Sequence, residues 1–328
     1  MNTMAFQTLR ALADGAFHSG EDIARTLGVT RSAVWYGIRD LSGAGFAIEK
    51  VRGRGYRLEH AISLLDAASV QSALAADAQR IELEIREVVD STNAQLMQRV
   101  GAGVRSGLVL VAEEQNAGRG RRGRAWHSGI GSALTFSLLW RFAQGARELA
   151  GLSLAVGLGL VRALRAAGAA GVQLKWPNDL VTPDGKLAGI LIEVQGDVLG
   201  PSAAVIGIGL NVRPDPRMRA AIDQPVADLE TIAGAPVDRN LLLAGLLREI
   251  VAVLDAFAAQ GFAPLREEWQ RFHVHQNRKV RLMLPDGNEV TGVACGVAED
   301  GALLLDAGNG IVRHHSGEVS LRGVGVPA

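Results

Sequence analysis

Seven residues, GRGRRGR at positions 118–124, constrain this chain more than any other stretch. Glycine lets the backbone turn sharply and come close to a ligand. Arginine carries a fixed charge on a planar fork of donors that suits phosphate or carboxylate oxygens. So much unpaired charge is too costly to bury, and the run must lie on a surface or in a cleft. Apolar runs flank it, 109–112 before and 133–140 after, and each reads as a buried strand. The chain must therefore build a sheet with a cationic loop between two of its core strands. By itself the run fits a solvated basic loop, an Arg/Gly RNA-binding segment or an anion clamp. It is not a phosphate-binding P-loop, which needs Lys and then Ser or Thr after the last glycine.

The rest of the chain narrows those choices. Its 328 residues allow two or three domains, and 48% apolar content is enough for a large core. Net charge is zero, so any nucleic-acid contact must come from a local patch. One cysteine, Cys295, excludes an intramolecular disulfide and a multi-cysteine zinc site. No secretory signal opens the chain, and the most apolar run, 149–161, is shorter than the roughly 20 residues a membrane helix needs. The reading is a soluble cytoplasmic protein with no membrane partner.

The first sixty residues have their own pattern. Phe6, Leu9, Leu12 and Ala13 fall at helical spacing. Ser19 can cap a second helix with Ile23, Ala24 and Leu27 on its apolar face. A turn at Gly28 follows, and Thr30 can cap a third helix through Leu41. Runs 46–51 and 55–58 flank Arg52 and Arg54, which predicts a hairpin wing with a basic tip. Helix, turn, helix and wing in order point to DNA binding, with Thr30, Arg31, Ser32 and Arg39 on the reading helix and Arg52 and Arg54 on the wing. Eight basic against six acidic residues is a weak balance for that role, and Trp35, Tyr36 and Gly37 stand where polar readers are usual. A winged helix used only for protein contact is the competing reading.

The central stretch gathers polar motifs at predicted strand ends. Residues 64–74 predict a helix and 81–88 a strand. Ser91, Thr92 and Asn93 precede a helix at 94–100, where they can cap it or meet a polar ligand. A long apolar helix is expected over 148–167. Strand 172–175 runs into KWPND at 175–179, and Pro177 ends its sheet pairing. That gathers Lys175, Asn178 and Asp179 at one edge. A turn at 182–185 leads to the return strand 186–193, with Lys186 at its start and Gly189 inside it. Strand 205–211 contains Gly207 and Gly209 and ends at Asn211. Glycines inside a strand suggest close approach of something flat.

These motifs, STN at 91–93, EQNAGRGRRGR ending at Arg124, KWPND, KLAGIL at 186–191 and GIGLN at 207–211, come in an order that resembles the biotin–protein ligases. With the N-terminal winged helix, nearly the whole chain resembles the bifunctional bacterial form, in which a ligase is also the repressor of the biotin operon. The resemblance implies an α+β chain: a winged helix-turn-helix at 1–62, a catalytic domain at 63–273 and a small SH3-like β-barrel at 274–328. The catalytic domain would have a mixed sheet with helices, in a class II synthetase-like biotin/lipoate ligase fold. Residue patterns agree at the C-terminus: helices at 238–259 and 265–272, then short strands at 280–284, 290–297, 303–305 and 311–313, with a turn at 285–287.

The resemblance also implies chemistry. Biotin and ATP would give biotinoyl-5′-adenylate with Mg²⁺, and the biotinyl group would pass to a lysine of the biotin carboxyl carrier protein of acetyl-CoA carboxylase. Lys186, Arg119, Arg121, Lys175 and Asp179 would be the catalytic set, with Asp179 contacting Mg²⁺ or orienting the lysine. Ser91, Thr92 and Gln115 would meet the ureido ring, and Gly118 and Gly207 would let backbone approach it. Trp126 would cover the adenylate, in a site that also includes Asn93, Gly120, Asn178, Gly189, Gly209 and Asn211. The adenylate would promote a homodimer that binds operator DNA. The alternatives are a lipoate–protein ligase on the same fold and a biotin-sensing repressor without ligase activity.

Overall fold

The computed structural model describes residues 1–214, 216–284, 288–315 and 320–323, and the chain forms two compact units, Met1–Leu65 and Asp66–Ala328. In the first, helices α1 (Thr3–Leu12), α2 (Gly20–Leu27) and α3 (Arg31–Gly43) precede the hairpin β1 (Ile48–Val51) and β2 (Gly55–Leu58). The caps are those expected. The Ser19 hydroxyl accepts from the Asp22 amide, and that of Thr30 accepts from Ala33. Gly28 ends α2 in the left-handed region, which an L side chain resists. Gly37 does not lie on the outer face of α3. A Cβ there would sit 2.4 Å from Thr8 Oγ1, so its absence lets α3 pack closely on α1.

The second unit is built on a seven-stranded sheet. It begins with α4 (Ala67–Leu74), β3 (Glu82–Val89), α5 (Thr92–Val100), β4 (Leu108–Gln115), β5 (Ala133–Phe142) and α6 (Leu152–Ala166). Then come β6 (Gln173–Lys175), β7 (Asp179–Thr182), β8 (Gly185–Gly196), β9 (Ser202–Asn211), α7 (Pro216–Ala220), α8 (Leu229–Ala233), α9 (Arg239–Gln260) and α10 (Arg266–Phe272). The strand order is β3-β4-β5-β9-β8-β7-β6. Only β3 and β4 run parallel; the other pairs are antiparallel, so the sheet is mixed. Helix α5 covers one face, where Leu96 and Val100 bury against Leu110, Leu139 and Val205. Helix α6 lies on the other, and a Cβ on Gly157 would reach Leu174 and Ile190 at 3.1 and 3.6 Å.

Two helix boundaries differ from the expectations. α4 starts at Ala67 rather than at 64, because the Asp66 carboxylate accepts from the Ser69 amide and caps it there. The run at 148–167 is broken: Gly151 takes φ 84° between a short 3₁₀ turn (Ala146–Leu149) and α6. A side chain on Gly151 would press on Phe262, with Cβ to Cβ at 2.8 Å. Periodicity did not register that packing demand.

The remaining strands, β10 (Lys279–Met283), β11 (Glu289–Val297), β12 (Leu303–Asp306), β13 (Ile311–His314) and β14 (Ser320–Gly323), form one antiparallel sheet in the order β13-β12-β11-β10-β14. The turn expected at 285–287 lies outside the described residues. This small β domain is tied to the larger sheet: the Trp176 indole Nε1 donates to the Gly301 carbonyl at 3.0 Å, and the Val297 amide donates to the Gln270 side chain at 3.0 Å. No helix among the described residues is long and apolar enough to cross a membrane.

Candidate active site

The cationic run joins β4 to β5, neighbouring interior strands of the sheet. It folds back on itself. Arg119 pairs with Ala125, the Trp126 amide donates to the Gly118 carbonyl at 2.9 Å, and the Gly120 amide to the Arg124 carbonyl at 2.7 Å. Gly118 needs its bare Cα, because a Cβ would meet the Trp126 carbonyl oxygen at 2.5 Å. Arg122 takes φ 58°, a left-handed conformation that non-glycine residues rarely hold. Arg119 stays exposed. Arg121 turns inward, and its Nη1 donates to Asn178 Oδ1 at 3.2 Å. Burial pushes the Arg121 guanidinium below its usual pKa, Asp179 opposes that shift, and Arg122 adds to it.

Under the loop, Lys175, Asn178, Asp179 and Lys186 come together because β6, β7 and β8 are consecutive antiparallel neighbours. Lys175 is directly opposite Asp179, and Asp179 is opposite Gly189. The turn between β6 and β7 contains a cis Trp176–Pro177 bond, and Trp176 is buried. Lys186 Nζ lies 2.8 Å from Asp179 Oδ1, as an ion pair off the line of an aligned hydrogen bond. Asn178 Nδ2 donates to the Ile190 carbonyl at 3.0 Å, and Asn211 Nδ2 donates to that of Lys186 at 3.1 Å. Both amides thus brace the start of β8, which holds the lysine. Lys175 helps Arg278 to keep His275 discharged; burial is the larger cause, and together they bring that imidazole to about 4.

A second polar cluster lies at the start of α5. Ser91 caps the helix. The Thr92 amide and hydroxyl both donate to Gln115 Oε1, at 2.7 and 3.0 Å. The buried Ser137 hydroxyl lies 2.7 Å from Thr92 Oγ1 and 2.5 Å from Asn93 Oδ1, while Asn93 Nδ2 donates to Glu193 at 2.9 Å. Ser137 and Glu193 were not in the expected site. Ser137 could have been noticed as a hydroxyl inside the apolar run 133–140, whereas Glu193 closes an otherwise ordinary strand.

The strand glycines predict the close approach of something flat. At Gly207 it is the Asn93 side chain, whose Oδ1 lies 2.2 Å from where a Cβ would be. Gly209 and Gly189, paired across β9 and β8, seat the Trp126 indole; a Cβ on Gly209 would lie 2.2 Å from its Cε2. Trp126 therefore lies flat on a bare patch of sheet, with Lys186 Nζ 6.0 Å from its ring centroid. Its Nε1 is buried without a hydrogen-bond partner, a costly state that an acceptor on a ligand would relieve. Among the described residues, no group of three His, Cys, Asp or Glu side chains could hold a metal ion.

In the first unit, Thr30, Arg31, Ser32, Arg39, Arg52 and Arg54 are all exposed, four on α3 or its cap and two at the wing tip. The Arg54 guanidinium lies 4.2 Å from the Phe17 ring centroid.

A cationic loop over a lysine–aspartate pair, beside a hydrogen-bonded polar cluster, in one chain with a winged helix, fits a class: an acid-activating ligase that also carries a helix-turn-helix unit. Comparison with known proteins agrees. Residues 85–211 match the biotin/lipoate A/B protein ligase family, residues 5–57 a helix-turn-helix domain, and residues 275–322 the biotin protein ligase C-terminal domain. The bifunctional ligase/repressor BirA of Escherichia coli (strain K12) is 39% identical over 98% of each chain. The biotin–[acetyl-CoA-carboxylase] ligase of Mycobacterium tuberculosis is 35% identical over 73% of this chain and 88% of its own. A biotin protein ligase structure from Aquifex aeolicus, in complex with biotin and ATP, is 30% identical; it superimposes with TM-score 0.63 over 74% of this chain and 99% of its own. The chain belongs to the biotin/lipoate A/B protein ligase family, as a biotin–protein ligase with a helix-turn-helix unit.

Proposed function

We propose that this chain joins biotin to ATP in the cleft between Lys186 and the cationic loop, then passes the biotinyl group to a lysine of the biotin carboxyl carrier protein of acetyl-CoA carboxylase. The observation that carries the residue assignment is the linked set Arg121–Asn178 and Asp179–Lys186, which focuses two cations on one point of the sheet. In the first step a carboxylate oxygen of biotin attacks the α-phosphorus of ATP, and the bond to the bridging oxygen breaks to release pyrophosphate. Two anions must meet, so fixed cations placed beforehand lower the barrier most. Lys186 bridges the carboxylate and the α-phosphate, and Arg121, Arg119 and Lys175 neutralise the rest. Mg²⁺ bound with ATP would shield the phosphate charge, and Asp179 is the residue that would contact it.

In the second step the acceptor amine attacks the acyl carbon, the bond to the phosphate oxygen breaks, and AMP leaves with the amine proton passed to a base. Asp179, freed from Lys186 as that cation turns to phosphate, orients the incoming lysine in its neutral amine form. The ureido ring rests on Ser91, Thr92 and Gln115. The loop keeps the reactive mixed anhydride from water until the acceptor arrives.

The three segments 1–62, 63–273 and 274–328 divide operator binding, chemistry and a supporting β domain. Adenylate-promoted homodimerisation couples the first two, in a cytoplasmic setting. The test is ATP-dependent transfer of labelled biotin to a carrier domain, with lipoate run in parallel. Transfer of biotin and not lipoate is expected. Biotin binding without transfer, or preference for lipoate, overturns the assignment.

A further inference from the structure

Helix α3 presents an unusual outer face. Arg31, Ser32, Trp35, Tyr36 and Arg39 are exposed at helical spacing, while Val34, Gly37, Ile38 and Leu41 are buried. Trp35 and Tyr36 are 47% and 51% exposed, among the largest apolar side chains so placed in the chain. They are not loose. Their rings meet edge to face at 5.0 Å, and the Arg39 guanidinium lies 5.5 Å from the first centroid and 4.9 Å from the second. Cation–π contact of this kind fixes a side chain that would otherwise be mobile. Gly37 sets the direction of the whole face by letting the opposite side of α3 press on Thr8.

Charge identifies what the face meets. Asp14, Asp22 and Glu49 are engaged within the unit by His18, Arg25 and Arg57, and Asp40 by Asn2 and, at 3.5 Å, by Arg39, while Glu21 and Glu59 are exposed. Arg31 on α3 and Lys50, Arg52 and Arg54 on the wing outnumber the two remaining exposed carboxylates, Glu21 and Glu59, a small cationic excess complementary to a polyanion. A polyanion that also offers apolar groups to a helix is duplex DNA at thymine, whose C5-methyl is the apolar feature of the major groove.

Resting on the reading of this unit as a DNA binder, we propose that α3 recognises its site by apolar contact. Trp35 and Tyr36 pack on thymine methyl groups, and Arg39, held by both rings, supplies the one charged reading group at the centre. The flanking Arg31, Arg52 and Arg54 meet phosphates. Sites for this protein therefore carry adjacent T·A pairs under the middle of α3, where hydrogen-bonding readers would instead demand particular donors and acceptors.

The test uses the full chain with biotin and ATP and selects duplexes from a randomised library. The affinity of each selected duplex is then compared with that of the same duplex carrying deoxyuridine for thymidine, which removes only the methyl groups. Each contacted methyl is expected to be worth about fourfold, so two give about 15-fold. Trp35→Ala and Tyr36→Ala should each retain only about fourfold discrimination, and the double variant should bind the two duplexes alike. Equal affinity of the parent protein for both overturns the proposal while leaving DNA binding intact. Failure to enrich any duplex overturns the DNA-binding reading itself. If in that case Trp35→Ala abolishes self-association, the face is a protein contact instead.

Discussion

Arg239 and Glu113 meet inside the second unit, Nη2 to Oε2 at 2.5 Å, with each side chain only 1% exposed. Arg239 also donates through Nη1 to the Ala133 carbonyl at 2.9 Å. Glu113 lies near the end of β4 and Ala133 opens β5, so one guanidinium holds both strands where the cationic loop leaves and returns.

That arrangement gives the first prediction. Arg239→Met takes the cation from a buried carboxylate and should cost about 3–5 kcal/mol in urea unfolding. Arg239→Met combined with Glu113→Leu should regain most of this, because apolar pairs of similar volume often replace buried ion pairs without loss. The double variant should still turn over more slowly, because its loop ends are no longer fixed. A single variant as stable as the parent would sink the clamp.

Arg121 reaches into the site, whereas Arg119 remains exposed. Arg121→Gly should release the adenylate about 10- to 100-fold faster, the worth of one hydrogen bond to a charged group, with thermal stability unchanged. A filter assay measures the release rate. Dissociation no faster than from the parent would exclude Arg121 from retention.

The paired glycines offer a contrast. Gly209→Ala must displace Trp126, whose ring cannot bend away from a Cβ 2.2 Å distant. Gly189→Ala meets the flexible end of Lys186 at 3.2 Å and can be accommodated. Calorimetric titration with biotin and ATP should therefore show the first variant severely weakened and the second only mildly. Equal effects would mean that the indole seat is not required for binding.

His273 gives a pH prediction. It is buried, its ring lies 4.8 Å from that of Trp269, and burial, with help from His275, lowers its pKa from 6.5 to about 4. Above pH 6.5 neither the folded nor the unfolded chain holds this proton, and stability is full. As pH falls from 6.5 towards 4, the unfolded chain takes up a proton that the folded chain refuses, so stability drops across that window. His273→Phe, which keeps the ring contact, should reduce the fall in Tm between pH 7 and 5, leaving the part that His275, also lowered to about 4, contributes. An unchanged slope would assign the effect elsewhere.

Much of the fold was legible beforehand. Ser19 and Thr30 marked their helix starts because a capping hydroxyl acts on amides two or three residues away. That 109–112 and 133–140 are buried strands joined by the loop could be read because both runs are apolar and short, whereas their antiparallel pairing is a matter of register. The break at Gly151 was not legible, because its cause is Phe262, more than a hundred residues along the chain. The role of Gly37 was hidden for the same reason: its partner, Thr8, lies on another helix.

By itself the sequence determined the order of the elements, the sign of the charge in the loop and the residue types gathered at strand ends. These are local properties, set by spacing and by the chemistry of adjacent side chains. Only the tertiary structure decided which arginine enters the cleft, what covers Gly207 and Gly209, and that Arg239 and Glu113 clamp the loop from below. Each of these is a contact between distant parts of the chain, and its geometry is fixed by sheet register and packing.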